Sequence, residues 1–265
     1  MNEFFYKCKK AMKEGGLPLL FKRFFIKYFS PKDYIRQRRA AFLCLIKGPV
    51  PLSQFFFCSS PATLFGHPFS FSDGNLLETL ELIYEVIVCN QYHIELIKKN
   101  GAVVDAGANI GVLSIYAAVK HPDATIYAFE PTQSTFDILK ENTKYYPNIK
   151  IFNWGLGDKE EQKSIIIGAH CGMNRIGEGG LPVDIKTIDG LNIPMDFLKM
   201  DTEGYEANIL KGAAGTIKKY RPIIAMSAYH KPDDKTELPK LLNGIAPYDC
   251  ELRHDAEDDL ICKPQ

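Results

Sequence analysis

The sequence has no hydrophobic run long enough to cross a membrane and no surplus of charge of either sign. The apolar, aromatic stretch over residues 17–29 is interrupted by Lys22, Arg23 and Lys27. A signal peptide needs at least about 7 consecutive apolar residues and a membrane-spanning helix about 20, so this stretch predicts neither. The 32 basic and 32 acidic residues give a net charge of zero, which argues against a protein that binds nucleic acid.

Cysteine motifs are also missing. The seven cysteines are scattered along the chain and never occur as C-x-x-C. Their odd number and irregular spacing predict reduced thiols in a cytoplasmic protein, and they argue against a disulfide scaffold or a zinc site.

The even balance of charge hides an uneven distribution. Residues 1–50 contain 12 lysines and arginines but only 3 acidic residues, so the rest of the chain carries the opposite excess. Two interpretations of residues 1–47 stay open: a helical appendage packed on the main domain, or a basic, aromatic helix that contacts an anionic membrane surface. Residues 48–75 are rich in Pro, Gly and Ser, which predicts an irregular connector. We therefore divide the chain into an appendage with its connector, residues 1–75, and a main domain, residues 76–265.

The main domain alternates between strand-like and helix-like segments. Apolar residues at helical spacing begin it, over Leu76–Asn90. Five strands are predicted at Ala102–Ala106, Thr125–Glu130, Ile149–Trp154, Phe197–Asp201 and Pro222–Ser227. Helices are predicted at Gly111–Lys120, Ser134–Tyr145 and Glu203–Lys219. Such alternation predicts an α/β fold with a mostly parallel sheet and right-handed crossovers.

Two pairs of strand-like runs have no helix between them. Tyr248–Arg253 and Asp259–Cys262 predict an antiparallel hairpin at the carboxyl end of the chain. Ser164–Ile167 and Val183–Ile188 flank the glycine-rich segment CGMNRIGEGG and predict a second hairpin, inserted between the third and fourth strands. Ligands of open α/β sheets bind beyond the carboxyl ends of the strands, so we expect this insertion to lie near the ligand site.

Polar residues follow the predicted strands at that same edge of the sheet. In chain order they are Asp105, Glu130, the segment from Trp154 to Asp158, Asp201 and His230. Because the carboxyl ends of parallel strands meet at one edge, we expect these residues to surround a single ligand site.

The turn after the first strand, in VVDAGANIGVLS, indicates which ligand this is. It places Gly107, Asn109 and Gly111 in the pattern G-x-N-x-G, with Asp105 two residues before the first glycine. Turns that bind dinucleotides have the pattern G-x-G-x-x-G, and a carboxylate at Asp105 would repel a pyrophosphate. The turn therefore favours a ligand with a cationic amino group and no phosphate, such as S-adenosylmethionine. Glu130 is predicted to accept hydrogen bonds from the ribose hydroxyls, a role that it would have with S-adenosylmethionine or with a dinucleotide.

Several of these residues have structural alternatives. Asp105 could cap the following helix, and Asn109 could merely stabilise the turn. Trp154 is a wall for the adenine ring or a core residue, and Asp158 contacts the adenine amino group or is a solvated turn residue. His230 could be an ordinary loop histidine.

Five segments together resemble the FkbM family of S-adenosylmethionine-dependent methyltransferases. They are VVDAGANIGVLS, AFEP, GLGDKEE, FLKMDTEGYEANILKGA and RPIIAMSAYHKPDD, and the resemblance spans about residues 100–262. It implies a Rossmann-like class I methyltransferase sheet and O-methylation, often of a sugar hydroxyl in a glycan, glycolipid or glycosylated natural product. The alternatives are a lipid, small-molecule or protein acceptor, or a module that binds an adenosyl ligand without catalysis.

Methyl transfer to a hydroxyl requires that the acceptor oxygen be aligned and its proton removed. We predict His230 as the base, because imidazole titrates near neutral pH, and Asp201 as the alternative base or the group that orients the hydroxyl. Asp201, Glu203 and His230 could instead hold a divalent ion, but their spacing does not require one, so no metal is predicted.

Overall fold

The structure, a computed structural model, describes residues 63–71, 79, 82–168 and 174–265. The predicted appendage, with its membrane contact through residues 1–47, lies outside the described residues. So do most of the connector and part of the predicted helix Leu76–Asn90. Within the described ranges, no helix is both long and apolar enough to span a bilayer.

The elements follow one another in the alternating order predicted from the sequence. The first are β1 (Thr63–Leu64), β2 (His67–Pro68), a π-helical turn at Tyr84–Val88 and a 3₁₀ turn at Ile94–Leu96. The strands that follow are β3 (Ala102–Ala106), β4 (Thr125–Phe129), β5 (Ile149–Phe152), β6 (Gly155–Leu156), β7 (Glu161–Ile166), β8 (Arg175–Ile176), β9 (Leu181–Lys186), β10 (Phe197–Met200), β11 (Ile223–Ser227), β12 (Tyr248–Arg253) and β13 (Asp259–Pro264). The helices are α1 (Val112–Lys120), α2 (Gln133–Thr143), α3 (Ile188–Leu191), α4 (Glu206–Gly212), α5 (Ala214–Tyr220) and α6 (Asp234–Ile245).

The main sheet has seven strands in the order β12-β13-β11-β10-β3-β4-β5. The five strands from β11 to β5 in that order are parallel. The other two, β12 and β13, form the antiparallel hairpin predicted at the carboxyl end of the chain, and β13 pairs with β11. Every residue of β3 and β10 is buried, as expected where both faces of a parallel sheet are covered. The predicted α/β fold with a mostly parallel sheet is therefore confirmed.

A second sheet holds the predicted insertion. β7 and β9 pair as an antiparallel hairpin, β8 adds to β7, and β6 adds to β9 in parallel. The predicted strand Ile149–Trp154 accordingly ends at Phe152, because the chain then leaves the main sheet and enters this second one.

Two helical predictions need correction. The single helix predicted over Glu203–Lys219 is two helices, α4 and α5, which meet at Ala213, and α4 begins only at Glu206 after a turn. Helix α6 was not predicted, because Pro239 lies inside it and proline normally indicates a helix boundary. It forms nonetheless, since Leu238 and Leu242 are buried in the core.

The prediction that all cysteines are reduced is wrong for two of them. Cys250 on β12 and Cys262 on β13 are joined by a disulfide, 12 residues apart in the chain. The hairpin places them directly opposite each other, with their Cα atoms 4.0 Å apart. Sequence spacing alone did not reveal this pairing, because it depends on the register of the hairpin.

Candidate active site

A cavity opens at the carboxyl edge of the parallel strands, between the main sheet and the second sheet. Its empty volume, including the open mouth, is about 880 Å³. At one end, which we call the β3–β4 end, the wall is formed by Gly107, Asn109 and Glu130. At the other, the β10 end, it is formed by Asp201 and Glu203.

The turn after β3 requires its glycines. Gly107 has a φ of +74°, and a Cβ there would lie 2.0 Å from the backbone oxygen of Asp201. Gly111 has a φ of +94° immediately before α1, and a Cβ there would lie 2.8 Å from Leu139 Cδ1. Asn109 also adopts a left-handed conformation, which asparagine tolerates better than most residues. The turn thus brings its backbone against β10 and against the cavity.

Glu130 is held by backbone amides. Its Oε2 accepts from the N–H of Asn109 at 3.1 Å and its Oε1 from the N–H of Thr132 at 2.9 Å. The side chain is nearly buried, and burial raises the pKa of Glu130. Each carboxylate oxygen has a further lone pair, so both can accept another hydrogen bond from a ligand in the cavity.

Asp105 has partners within the protein. Its side chain is completely buried and does not line the cavity. Oδ2 accepts from Ser114 Oγ at 2.6 Å, and Oδ1 lies 3.2 Å from Lys199 Nζ. Lys199 Nζ also donates to the backbone oxygen of Gly107 at 2.7 Å, so the ion pair fixes the turn. The cofactor contact predicted for Asp105 stays a prediction, and the contacts seen are those of a residue that positions the turn.

Lys199 is the residue that sequence reasoning missed. It lies in the middle of the apolar strand FLKM, is 4% exposed, and is directly opposite Asp105 in the parallel pair of β10 and β3. A lysine in a buried strand needs a carboxylate partner, because an unpaired buried charge is costly. Its position in an apolar strand could therefore have indicated that a buried carboxylate lies beside it.

An apolar wall adjoins the β3–β4 end. Trp154 lines it, together with Pro131, Leu156 and Ile185, and its ring centroid is 5.2 Å from that of Phe152. Trp154 thus packs on the core and also faces the cavity, and its contact with an adenine ring stays a prediction.

Asp158 does not reach the cavity. Its carboxylate is exposed and accepts a hydrogen bond from Asn208 Nδ2 at 3.2 Å, which lowers the pKa of Asp158. Asp158 is not among the residues that line the cavity. Its predicted contact with an adenine ring has no support in this geometry.

Carboxylates surround His230 beside the β10 end. The Nε2 atom lies 3.5 Å from Asp201 Oδ1 and 3.8 Å from Glu203 Oε2. On the other side of the ring, Nδ1 lies 3.2 Å from Glu206 Oε1. The histidine side chain is 7% exposed and does not itself line the cavity. We call these four residues the carboxylate cluster.

Hydrogen bonds from residues outside the carboxylate cluster hold its carboxylates in place. Glu206 Oε1 accepts from the backbone N–H of Thr202 at 2.8 Å, and Asp201 Oδ2 accepts from the hydroxyl of Tyr92 at 2.8 Å. Glu203 has a φ of +55°, an uncommon conformation for a residue with a side chain. Such conformations cluster at functional sites, where the surroundings enforce them.

The charges of the cluster change the protonation of its members. Burial lowers the pKa of His230, but the hydrogen-bonding Glu206 and the charges of Asp201 and Glu203 outweigh it and raise that pKa to about 9. Burial raises the pKa of Glu203 to about 7. Near pH 7 the neighbouring carboxylates therefore favour the protonated imidazole in this arrangement. The role of His230 as the base stays a prediction, as does that of Asp201, which lines the cavity.

Comparisons with known proteins identify the family and agree with the fold. The model of the methyltransferase FkbM domain matches residues 105–244, just over half of the chain. The hexuronic acid methyltransferase AglP of Haloferax volcanii is 30% identical in an alignment 162 residues long, which covers 57% of this chain and 64% of AglP. The 31-O-demethyl-FK506 methyltransferase FkbM of Streptomyces tacrolimicus is 37% identical over 54 residues, or 20% of this chain and 21% of that protein.

A solved structure shares the fold. The crystal structure of methyltransferase FkbM from Methylobacillus flagellatus KT superimposes with a TM-score of 0.50 at 20% sequence identity. The match covers 87% of this chain and 60% of that one. This chain therefore spans less than two thirds of the length of AglP and of the solved relative.

Proposed function

Since the chain belongs to the FkbM family of methyltransferases, we propose that it transfers a methyl group from S-adenosylmethionine to a hydroxyl oxygen of a sugar in a glycan or glycoconjugate. The observation that carries the proposal is the division of the cavity into two ends, one built from backbone amides and Glu130, the other from Asp201 and Glu203. The first end suits a nucleoside, and the second suits a hydroxyl that must lose a proton.

The β3–β4 end fits an adenosyl group. When bound, S-adenosylmethionine supplies an electrophilic methyl group on a sulfonium. Glu130 would accept from the two ribose hydroxyls, because each of its oxygens retains acceptor capacity. Trp154, Leu156 and Ile185 would cover the apolar adenine ring. Gly107, which lines the cavity and has no Cβ to collide with the backbone of Asp201, would keep the turn packed beside the ligand.

The charges of the cavity favour this cofactor over a dinucleotide. Among the residues that the structure describes, Lys199 is the only cationic side chain that lines the cavity. Its ammonium is already paired with Asp105 and with the backbone oxygen of Gly107. A pyrophosphate would therefore find no cationic side chain to bind, whereas a ligand without phosphate needs none.

The β10 end fits the acceptor. Asp201 lines the cavity, and Tyr92 donates to its Oδ2, which leaves Oδ1 available to orient a hydroxyl or accept its proton. In-line transfer depends on this alignment, and a positioned base contributes about 10²–10⁴-fold in rate. His230 and Glu206 would act by holding Asp201 and Glu203 in place.

The names of two relatives support a sugar or hydroxyl acceptor. One is a hexuronic acid methyltransferase, and the other is a methyltransferase of 31-O-demethyl-FK506. The test is to incubate the purified chain with S-adenosylmethionine labelled in its methyl group and with glycan, lipid and protein extracts. We expect label in the glycan fraction, stable to base as an ether is. Label confined to lipid or protein would overturn the sugar acceptor, and no transfer to any fraction would overturn the enzymatic function.

A further inference from the structure

We propose that Asp201, Glu203 and His230 bind a divalent cation at the β10 end of the cavity. The binding site itself stands on the geometry of these three residues. The role we assign to the ion, to hold the acceptor hydroxyl, rests on the function proposed above.

The three side chains converge at the spacing that a metal requires. One ligand atom from each lies within 4.8 Å of the other two. From His230 Nε2, the distances are 3.5 Å to Asp201 Oδ1 and 3.8 Å to Glu203 Oε2. Ligand atoms that share one ion, with bonds of about 2.1 Å, lie about 3–4 Å from each other. These atoms are therefore too far apart for good hydrogen bonds but suitably placed around a cation.

His230 is the second observation that points to a ligand. Its side chain is 7% exposed, and its buried Nε2 atom has no hydrogen-bond partner among the described residues, whereas Nδ1 faces Glu206 at 3.2 Å. Buried polar atoms nearly always have such a partner, so an exception requires an explanation. Nε2 faces the space between Asp201 and Glu203, and a cation in that space would satisfy it.

The surroundings complete a metal site in the usual way. Glu206 lies 3.2 Å from His230 Nδ1, the nitrogen that faces away from the proposed ion. A carboxylate at that position commonly fixes the orientation and tautomer of a metal-binding histidine. Tyr92 holds Asp201 by its Oδ2, which leaves Oδ1 directed toward His230. His230 and Asp201 are therefore each held by a neighbour on the side away from the proposed ion.

Charge also favours a cation. Three carboxylates of the cluster face a single imidazole, so the cluster has an excess of negative charge even when the histidine is protonated. Two carboxylates and one imidazole suit an ion that accepts both oxygen and nitrogen ligands, and Mn²⁺ is the natural probe. Asp201 and Glu203 line the cavity, so the open positions of the ion would face an acceptor. There the ion would bind the acceptor oxygen and make its hydroxyl more acidic.

The test needs neither cofactor nor acceptor. The full chain is treated with EDTA, and Mn²⁺ is titrated while the electron paramagnetic resonance signal of free Mn²⁺ is recorded. We expect one saturable ion per chain. The variants Glu203→Gln, Asp201→Asn and His230→Gln should each bind at least tenfold more weakly. Glu237→Gln, a matched change on the exposed face of α6, should bind like the wild type.

Thermal unfolding of each variant shows whether it is folded, and Glu203→Gln is the most informative because its side chain is partly exposed. Wild-type protein without saturable Mn²⁺ binding, or folded variants that bind like the wild type, would overturn the proposal. S-adenosylmethionine binding is measured by calorimetry on the same preparation. If the cofactor binds and Mn²⁺ does not, only the metal site fails; if Mn²⁺ binds and the cofactor does not, the proposed function fails instead.

Discussion

The two ends of the cavity bury carboxylates in different ways. At the β3–β4 end, each oxygen of Glu130 accepts from a backbone N–H, so its position is fixed by the turn and by the start of α2. Beside the β10 end, Asp201, Glu203 and Glu206 share one imidazole, whose Nδ1 faces Glu206 and whose Nε2 has no hydrogen-bond partner among the described residues. The protein thus positions both oxygens of Glu130, whereas Nε2 at the other end lacks a partner. This difference supports the proposal that the first end binds the cofactor and the second carries out the chemistry.

One ion pair connects the two ends. Lys199, on the strand that leads to Asp201, binds both the Asp105 carboxylate and the backbone oxygen of Gly107. Removing this ion pair should therefore have the largest effect on the cavity, because both of its ends then lose their support.

The largest expected effect is that of Lys199→Met. It leaves the buried Asp105 carboxylate without its cation, which costs about 3–5 kcal/mol of unfolding free energy. The measurement is denaturant unfolding. Lys98→Met is the matched control, since Lys98 is 57% exposed in its 3.4 Å pair with Asp196, and we expect a change below about 1 kcal/mol. The double variant with Asp105→Leu should recover part of the loss; equal losses for Lys199 and Lys98 would contradict the account.

The next largest effect is expected at the β10 end. Asp201→Asn keeps the shape of the side chain but removes its charge, so we expect turnover to fall by about 100-fold or more. The affinity for S-adenosylmethionine should stay within a few-fold, because Asp201 lies at the other end from Glu130. Turnover is measured with the acceptor found by the labelled-methyl assay. A parallel loss of cofactor affinity would show that the two ends are not separate.

A smaller effect is expected at the β3–β4 end. Glu130→Gln removes the charge that would accept from the ribose hydroxyls, and charge-assisted hydrogen bonds contribute about 1.5–3 kcal/mol each. We therefore expect the affinity for S-adenosylmethionine to fall about 10- to 100-fold, as measured by titration calorimetry. Glu237→Gln serves as the control at an exposed site. Unchanged affinity in folded Glu130→Gln protein would exclude Glu130 from the ribose contact.

The smallest effect is expected at Asp158, outside both ends. Its exposed carboxylate accepts from Asn208 and does not line the cavity. Asp158→Asn should change cofactor affinity and turnover by less than about threefold, the usual range for a surface substitution. A loss as large as that of Glu130→Gln would restore the adenine contact predicted from the sequence.

Much of this arrangement could be predicted from the sequence. Glu130 and Asp201 each follow an apolar strand, and because parallel strands end at one edge, both line the cavity as expected. The pattern around Gly107 and Gly111 predicted a turn between the first strand and its helix, and the structure has that turn, with a positive φ at both glycines. These inferences succeeded because they depend on local pattern and on the common direction of the strands.

The remainder depends on contacts between distant segments. Lys199 and Asp105 are 94 residues apart along the chain, and they pair because of the register of β10 against β3. The Cys250–Cys262 bond likewise depends on the register of β12 against β13. His230 lies near Asp201, as expected from the strand ends, but its protonation also depends on Glu206, which was not predicted to belong to the site. Register and local charge of this kind are set by the packed fold.

The most direct test of the account is the binding of S-adenosylmethionine and NAD to the wild-type chain, measured side by side by titration calorimetry. The β3–β4 end offers Glu130 and an apolar wall but no free cationic side chain among the described lining residues. We therefore predict one S-adenosylmethionine per chain and no measurable binding of NAD. Binding of NAD in place of S-adenosylmethionine, or of neither, would contradict the assignment of this cavity to methyl transfer.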